Sequence, residues 1–361
     1  MNALLTRLAS WDALDNWTAA TAAVAAAACA LPGVFLVLRR QALLGDALAH
    51  TALPGVVGAY LVTTFAERSG VLPEGTFAAT RHLLLAAGAV LVGLLTAWLT
   101  ESLARLGRID RTTSLAVVFT TAFAAGLLLL RWQADAVHID PDHVLFGEVE
   151  LAVLDTVAIV PPDVVESNGK AASGGSYGLP PGTVPRPLAV AAVALIINLL
   201  FVTACFKELR LAAFDTGFAR SIGLSTQRLH LVQVGLTAVT LVAAFESVGS
   251  ILAIAMLVLP VAAARFLTDR LVGTVLWSMG LAVLAAVVGH AASFTVPPVL
   301  FGALGFDTVE DAGTAGAMSA VGGLFFVLAL LFGPKGGLLT TRLSQSAQKK
   351  AEGPQPLGVA G

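Results

Sequence analysis

The sequence predicts an all-α fold, a polytopic transmembrane helical bundle of eight or nine spans. Three observations predict it. Only 12% of the 361 residues are charged while 57% are hydrophobic, against about 25% charged in soluble domains. Mean hydropathy is +0.85. Uncharged runs recur along the chain at the roughly 20-residue length that a helix needs to cross hydrocarbon, and short connections carry most of the charge.

The runs place spans near 16–38, 43–66, 82–103, 112–130, 187–206, 229–245, 247–264, 271–294 and 312–334. Arg39-Arg40 lies too deep for a twin-arginine signal, and the residues before Cys29 make a poor lipoprotein box, so the first run reads as a retained span. The sixth and seventh runs are short and separated only by Glu246. Eight spans plus a broken or re-entrant piece is therefore the alternative to nine. Small residues in "AAGAVLVG" (86–93) and "SAVGGLFFVLALLFG" (319–333) allow close helix approach. Residues 1–335 read as one membrane domain, and 336–361 as a disordered polar tail. The connection 131–186 begins acidic ("DAVHIDPDHVLFGEVE") and turns rich in Gly, Ser and Pro, the composition of a mobile loop.

Lys and Arg in connections set orientation. With Arg39-Arg40 inside, alternation puts 101–111, 207–228, 265–270 and the tail from Lys335 on the same side. Those segments hold 15 Lys/Arg against 6 elsewhere. The expected orientation is N-terminus outside and C-terminus inside. Net charge of −2 gives no sign of a nucleic-acid partner, and two cysteines in apolar runs imply no disulfide framework.

An ionisable side chain at mid-bilayer costs about 2.5–3.5 kcal/mol by insertion scales. Asp46 and His50, in "RQALLGDALAHTALPG" (40–55), stand at i and i+4 and so share a helix face. Carboxylate plus imidazole suits a divalent first-row ion, and the lack of cysteine nearby argues against a soft thiolate site. Oxygen and nitrogen donors favour Mn²⁺ or Fe²⁺, with Zn²⁺ possible. Glu246 would add a second carboxylate to balance the ion's charge. The alternative is structural: Asp46 as a cap or interfacial residue, His50 as a bonded core histidine, and Glu246 in a short turn. His290, in "VVGHAASF", reads as a satisfied core histidine, and His230 as interfacial. In the outer connection Asp142 and His143 sit among other acids, either a vestibule for cations or a solvated loop. Asp46 lies toward the inside and Glu246 toward the outside. They meet only if the helix around Asp46 is displaced or broken, with Pro54-Gly55 as the candidate break.

Residues 207–228, "KELRLAAFDTGFARSIGLSTQR", are too polar to face lipid. Phe214, then Asp215 as N-cap, predicts a short helix through Phe218, Ala219 and Ile222, ended by Gly223. It is either a plain connector or a docking element for a cytoplasmic partner. The chain contains no G-x-x-x-x-G-K-[ST] stretch, so energy would come from a gradient or another polypeptide.

Four ordered stretches resemble the membrane permeases of the manganese/zinc/iron family of ATP-binding-cassette importers: "LLGDALAHTALPG", "TTSLAVVFTTAFAAGLLLL" with "DPDHVLFGE", "KELRLAAFDTGFARSIGL", and "FESVGSILAIAMLVLPVAAARFLTDR". The resemblance spans about 30 to 335. It implies a type II importer permease in a bacterial cytoplasmic membrane, working as a dimer with a second copy or a paralogue. It implies a cytoplasmic ATP-binding subunit that supplies hydrolysis, and an extracytoplasmic metal-binding lipoprotein. It implies no tightly bound cofactor, only a transported dication, and that Phe214, Asp215, Phe218, Ala219 and Gly223 engage the ATPase. Asp46 and His50 match the family's metal positions, and Glu246 matches the glutamate of manganese/iron-type members, favouring Mn²⁺ over Zn²⁺ or Fe²⁺. The loop at about 159–186 is longer than the family's connection. A gradient-driven secondary transporter, using the same acids as a proton relay, is the competing class.

Overall fold

A computed structural model describes residues 11–70, 76–132, 149–158, 183–303 and 312–340. The helices are α1 (Ala13–Leu38), α2 (Ala42–Arg68), α3 (Thr76–Gly107), α4 (Arg111–Trp132) and the one-turn α5 (Val149–Ala152). After a pair of short strands come α6 (Arg186–Ala204), α7 (Phe206–Phe214) and α8 (Thr216–Ser221). Then follow α9 (Thr226–Leu267), α10 (Leu271–Ala303) and α11 (Thr314–Phe332). The strands, β1 (Thr156–Ala158) and β2 (Thr183–Pro185), pair antiparallel with Thr156 opposite Pro185. They depart from a purely helical expectation and close the base of the 131–186 connection, where Arg186 Nη1 lies 3.4 Å from Asp155 Oδ2.

Nine helical segments among the described residues are long and apolar enough to cross a membrane, each overlapping a predicted run. Whether the segments number eight or nine depends on α9. Its 42 residues would extend about 63 Å if straight, twice the roughly 30 Å of hydrocarbon. Gly249 interrupts it with φ 76° and ψ 167°, a region open essentially to glycine alone. Leu229 near one end and Val261 near the other pack into the same cluster with Leu31, Val34 and Phe35 of α1, although a straight helix would hold them about 48 Å apart. The chain therefore turns back at Gly249, and the two halves are separate spans.

Helix α1 is the centre of the bundle, packing on α9, α10 and α6, with nearly every residue from Thr18 to Leu36 buried. Its alanine-rich middle permits this, because small side chains let neighbouring backbones approach. Gly33 is the extreme case: a Cβ there would collide with the Leu257 carbonyl oxygen. The helix starts in a capping box. The Asp12 carboxylate accepts from Ala13 N at 2.7 Å, and Asp15 accepts from Asp12 N at 2.8 Å.

Asp15 also serves the packing above it. His290 is 3% exposed, its Nε2 3.2 Å from Asp15 Oδ1 and its Nδ1 2.9 Å from Thr314 Oγ1. That is the satisfied core histidine the sequence suggested, and it ties α10 to the starts of α1 and α11. The break suggested at Pro54-Gly55 is not observed, for α2 runs as one helix through both. The reason is packing: the Pro54 ring lies against Gly126 of α4, and Gly55 meets the Gly88 backbone of α3 so closely that a Cβ would come within 2.5 Å of its carbonyl oxygen. Neighbouring helices hold the residues straight, and the break occurs at Gly249 instead.

Candidate metal pathway and coupling helix

Asp46 and His50 do form a pair. One helical turn separates them, and His50 Nε2 lies 3.4 Å from Asp46 Oδ1, with the side chains 33% and 42% exposed respectively. Ala47, Leu48, Ala49 and Thr51 between and beside them are buried, so the helix is anchored on the opposite face while the polar pair stays open. Gly45 brings α2 against Leu257, where a Cβ would sit 2.9 Å from the leucine Cδ2. The imidazole packs between two rings of α4. Phe119 stacks on it at a 6.1 Å centroid distance and 26°, and Phe123 meets it edge-on at 5.4 Å and 65°.

Those phenylalanines were not singled out in the sequence, although their own i, i+4 spacing on a span was visible. They restrict His50 to a few orientations and put an apolar wall beside a possible ligand. About four carboxylate lone-pair positions and one imidazole lone pair are available to a cation, less the one used in their own contact. Two donors do not complete the coordination of a first-row ion, which takes four to six. Among the described residues no group of three or more His, Cys, Asp or Glu converges.

The side chain of Glu246 lies outside the described residues, but its backbone position in α9 is fixed. Leu48 and Ala238 meet at Gly93 of α3, which sets a common level for α2 and the first half of α9. Glu246 follows Ala238 by about two helical turns and precedes Gly249, so it lies nearer the turn-back end than the Asp46–His50 pair does. The depth offset expected from the sequence persists. Asp142 and His143 of the vestibule expectation lie outside the described residues, as do 159–182 of the connection and 341–361 of the tail.

At the opposite end from Gly249, the short helix appears where the sequence put it. The Asp215 carboxylate accepts from Phe218 N at 2.8 Å as the N-cap of α8. Gly223, at φ 86°, lets Gly223 N reach Arg220 O at 3.0 Å and Leu224 N reach Ala219 O at 3.0 Å. That is a glycine-ended helix terminus. Ala219 is fully buried against the body, while Phe214, Phe218 and Ile222 are 65%, 54% and 56% exposed. Phe218 and Ile222 therefore project from the capped turn, and Phe214 from the last residue of α7 just before it.

The same end gathers charge that the sequence reading did not connect. Glu101 accepts from Arg105 Nε at 3.0 Å and Nη2 at 2.9 Å, and from Arg111 Nη2 at 3.2 Å. Arg39 Nη1 lies 3.3 Å from His230 Nδ1, so His230 is a bonded residue beneath the bundle. Burial, with the Arg111 guanidinium nearby, lowers the Arg39 pKa from its ordinary value. Only the fold brings residues 39, 101, 111 and 230 together.

The described residues hold nine helices long and apolar enough to cross a membrane, with an open carboxylate–imidazole pair on one of them and exposed phenylalanines at one end, the architecture of a multi-pass membrane protein. The chain belongs to the ABC 3 transport family, whose model matches residues 12–161 and 184–304. It is 34% identical to the "Manganese transport system membrane protein MntD" of Bacillus subtilis strain 168, over 94% of this chain and 99% of that protein. It is 32% identical to the "Zinc transport system membrane protein TroD" of Treponema pallidum strain Nichols, over 91% of this chain and 76% of the relative. The solved structure "PsaBC from Streptococcus pneumoniae in complex with Fab" shares the fold, with a TM-score of 0.65 at 21% identity over 94% of this chain and 98% of that one.

Proposed function

We propose that this chain is the permease subunit of an ATP-driven importer of divalent transition-metal ions, with Mn²⁺ as the principal cargo. The observation that carries the reading is the Asp46–His50 pair, half open beside the Phe119–Phe123 wall in an otherwise apolar span. The name of the manganese relative, similar over almost the whole chain, supports the choice of ion. The zinc relative keeps Zn²⁺ as the second reading, and Fe²⁺ shares the same donor chemistry.

In this mechanism an extracytoplasmic lipoprotein delivers the ion at the Gly249 end. Glu246 meets it first, and the Asp46–His50 pair takes it about two turns deeper. Each station offers one carboxylate, which offsets part of the ion's charge and lowers the cost of holding it in a low-dielectric region. Few strong ligands is an advantage, since a site that holds an ion too tightly does not release it.

The power stroke comes from a separate cytoplasmic ATP-binding subunit that receives Phe214, Phe218 and Ile222 in a groove. Asp215 and Gly223 keep α8 rigid enough to pass that motion to α9, and buried Ala219 seats it on the body. A second permease copy or a paralogue completes the transporter. The protein then lies in a bacterial cytoplasmic membrane with the N-terminus outside and α8 and the C-terminal tail inside, an orientation supported by the 15 to 6 bias in Lys/Arg.

The test is reconstitution in liposomes with and without the ATP-binding subunit, reading Mn²⁺, Zn²⁺ and Fe²⁺ entry. Uptake of Mn²⁺ that requires ATP and the second subunit is the expected result. Uptake by the chain alone down a proton gradient would replace this reading with the secondary transporter.

A further inference from the structure

At the α8 end a hollow of about 570 Å³ opens between the ends of α3 and α4 on one side and α8 with the start of α9 on the other. That volume falls within the roughly 300–1,000 Å³ typical of small-molecule sites. Glu101, Arg105, Ile109, Arg111, Arg220 and Thr226 line its working part. Three guanidiniums thus face one carboxylate, and that carboxylate is already engaged by Arg105 and Arg111. Arg220 donates Nε to Thr226 Oγ1 at 3.2 Å, and among the described residues it has no carboxylate partner. The hollow therefore carries surplus positive charge and guanidinium donors not committed to any acid.

Its surroundings say which anion. Arg105 and Arg111 flank the turn from α3 to α4, where two helices long and apolar enough to span a membrane meet a charged stretch. Exposed apolar side chains continue from this turn along both helices: Ile109 in the turn itself, Leu106, Leu99 and Trp98 back along α3, and Val117 forward along α4, Leu106 being 87% exposed. A ligand that fits has a phosphate ester at one end and hydrocarbon at the other. Arginine is suited to phosphate because its planar fork can offer two parallel N–H donors, and basic pockets between membrane helices at the leaflet surface favour acidic headgroups.

We propose that this hollow is a binding site for an acidic phospholipid, with its phosphate held by Arg105, Arg111 and Arg220 and its acyl chains lying along α3 and α4. The chemistry it shares with free phosphate is the phosphate anion; the adjoining apolar surface is what selects the lipid. Such a lipid would bridge the α3–α4 corner to Arg220 of α8, and so would brace the helix that Proposed function assigns to ATPase contact. The binding claim itself does not depend on that assignment.

The test is native mass spectrometry of the purified full-length chain, exchanged into micelles with equal phosphatidylglycerol and phosphatidylcholine. The wild-type chain retains phosphatidylglycerol preferentially. Arg105→Gln and Arg220→Gln each lower that preference about fivefold, the effect of one arginine near a charged leaflet, while Arg105→Lys keeps most of it. Lys335→Gln, at the same end but paired with Asp269, leaves it unchanged. Equal loss in Lys335→Gln would reduce the effect to diffuse surface charge and overturn the site. Arginine-dependent binding of inorganic phosphate without any lipid preference would make it a free-anion site. No preference for either would mean that protein or water fills the hollow. Both results would also overturn the proposal. Circular dichroism on each variant separates loss of binding from loss of fold.

Discussion

Asp46 and His50 are paired loosely, at 3.4 Å, and neither is sealed into the core. A histidine–carboxylate contact kept for structure alone would be expected to resemble His290, buried and bonded on both ring nitrogens. The openness of Asp46–His50 is what makes it a candidate for a passing ion. Asp46→Ala or His50→Ala should abolish metal uptake. Asp46→Ala, at a partly exposed position, should leave stability within about 0.5 kcal/mol, while His50→Ala also gives up the Phe119 and Phe123 ring contacts, at about 0.5–1.5 kcal/mol. Isotope uptake in cells, with expression checked by immunoblot, decides it. Normal accumulation by either variant would remove the pair from the pathway.

Among the elements, α9 and α8 carry the sharpest consequences. The reversal at Gly249 depends on a backbone conformation that costs a non-glycine residue about 1–3 kcal/mol. Gly249→Ala should lower the unfolding temperature and the yield of folded protein in detergent, and an unchanged melting curve would mean the turn relaxes elsewhere. Gly33→Ala should do the same by driving a Cβ into the Leu257 carbonyl, an overpacking cost of about 1–3 kcal/mol. In α8 the caps matter more than the body. Asp215→Ala removes the N-cap bond to Phe218 N and should cost about 1 kcal/mol locally, read as faster amide exchange at residues 216–221 with the spans unaffected.

For the whole molecule the question is how one end of the bundle communicates with the other. Phe218→Ala and Gly223→Asp should leave metal binding intact and reduce the ratio of ions moved to ATP hydrolysed in the reconstituted complex. An unaltered ratio in both would reject α8 as the coupling element. Between α8 and the Asp46–His50 level stand α9 and the α3–α4 corner. The polar contacts at their base join Glu101 to Arg105 and Arg111, and Arg39 to His230.

The class and the span positions were legible in the sequence, as was the i, i+4 spacing that sets Asp46 beside His50. Hydrophobic runs of bilayer length and caps such as Asp215 and Gly223 are local signals, read within a turn or two of the residues that carry them. It left the count open at Glu246, because a one-residue gap between short runs reads equally as a break or as a continuous helix. It takes the tertiary structure to show that the chain reverses at Gly249, that Pro54-Gly55 does not break α2, that Phe119 and Phe123 flank His50, and that Arg39, Glu101, Arg111 and His230, from four separate stretches of the chain, gather at one end. Each of these depends on helices distant in the chain coming into contact. Contacts of that kind follow from how small residues such as Gly33, Gly55 and Gly126 let backbones approach, which no single run of sequence expresses.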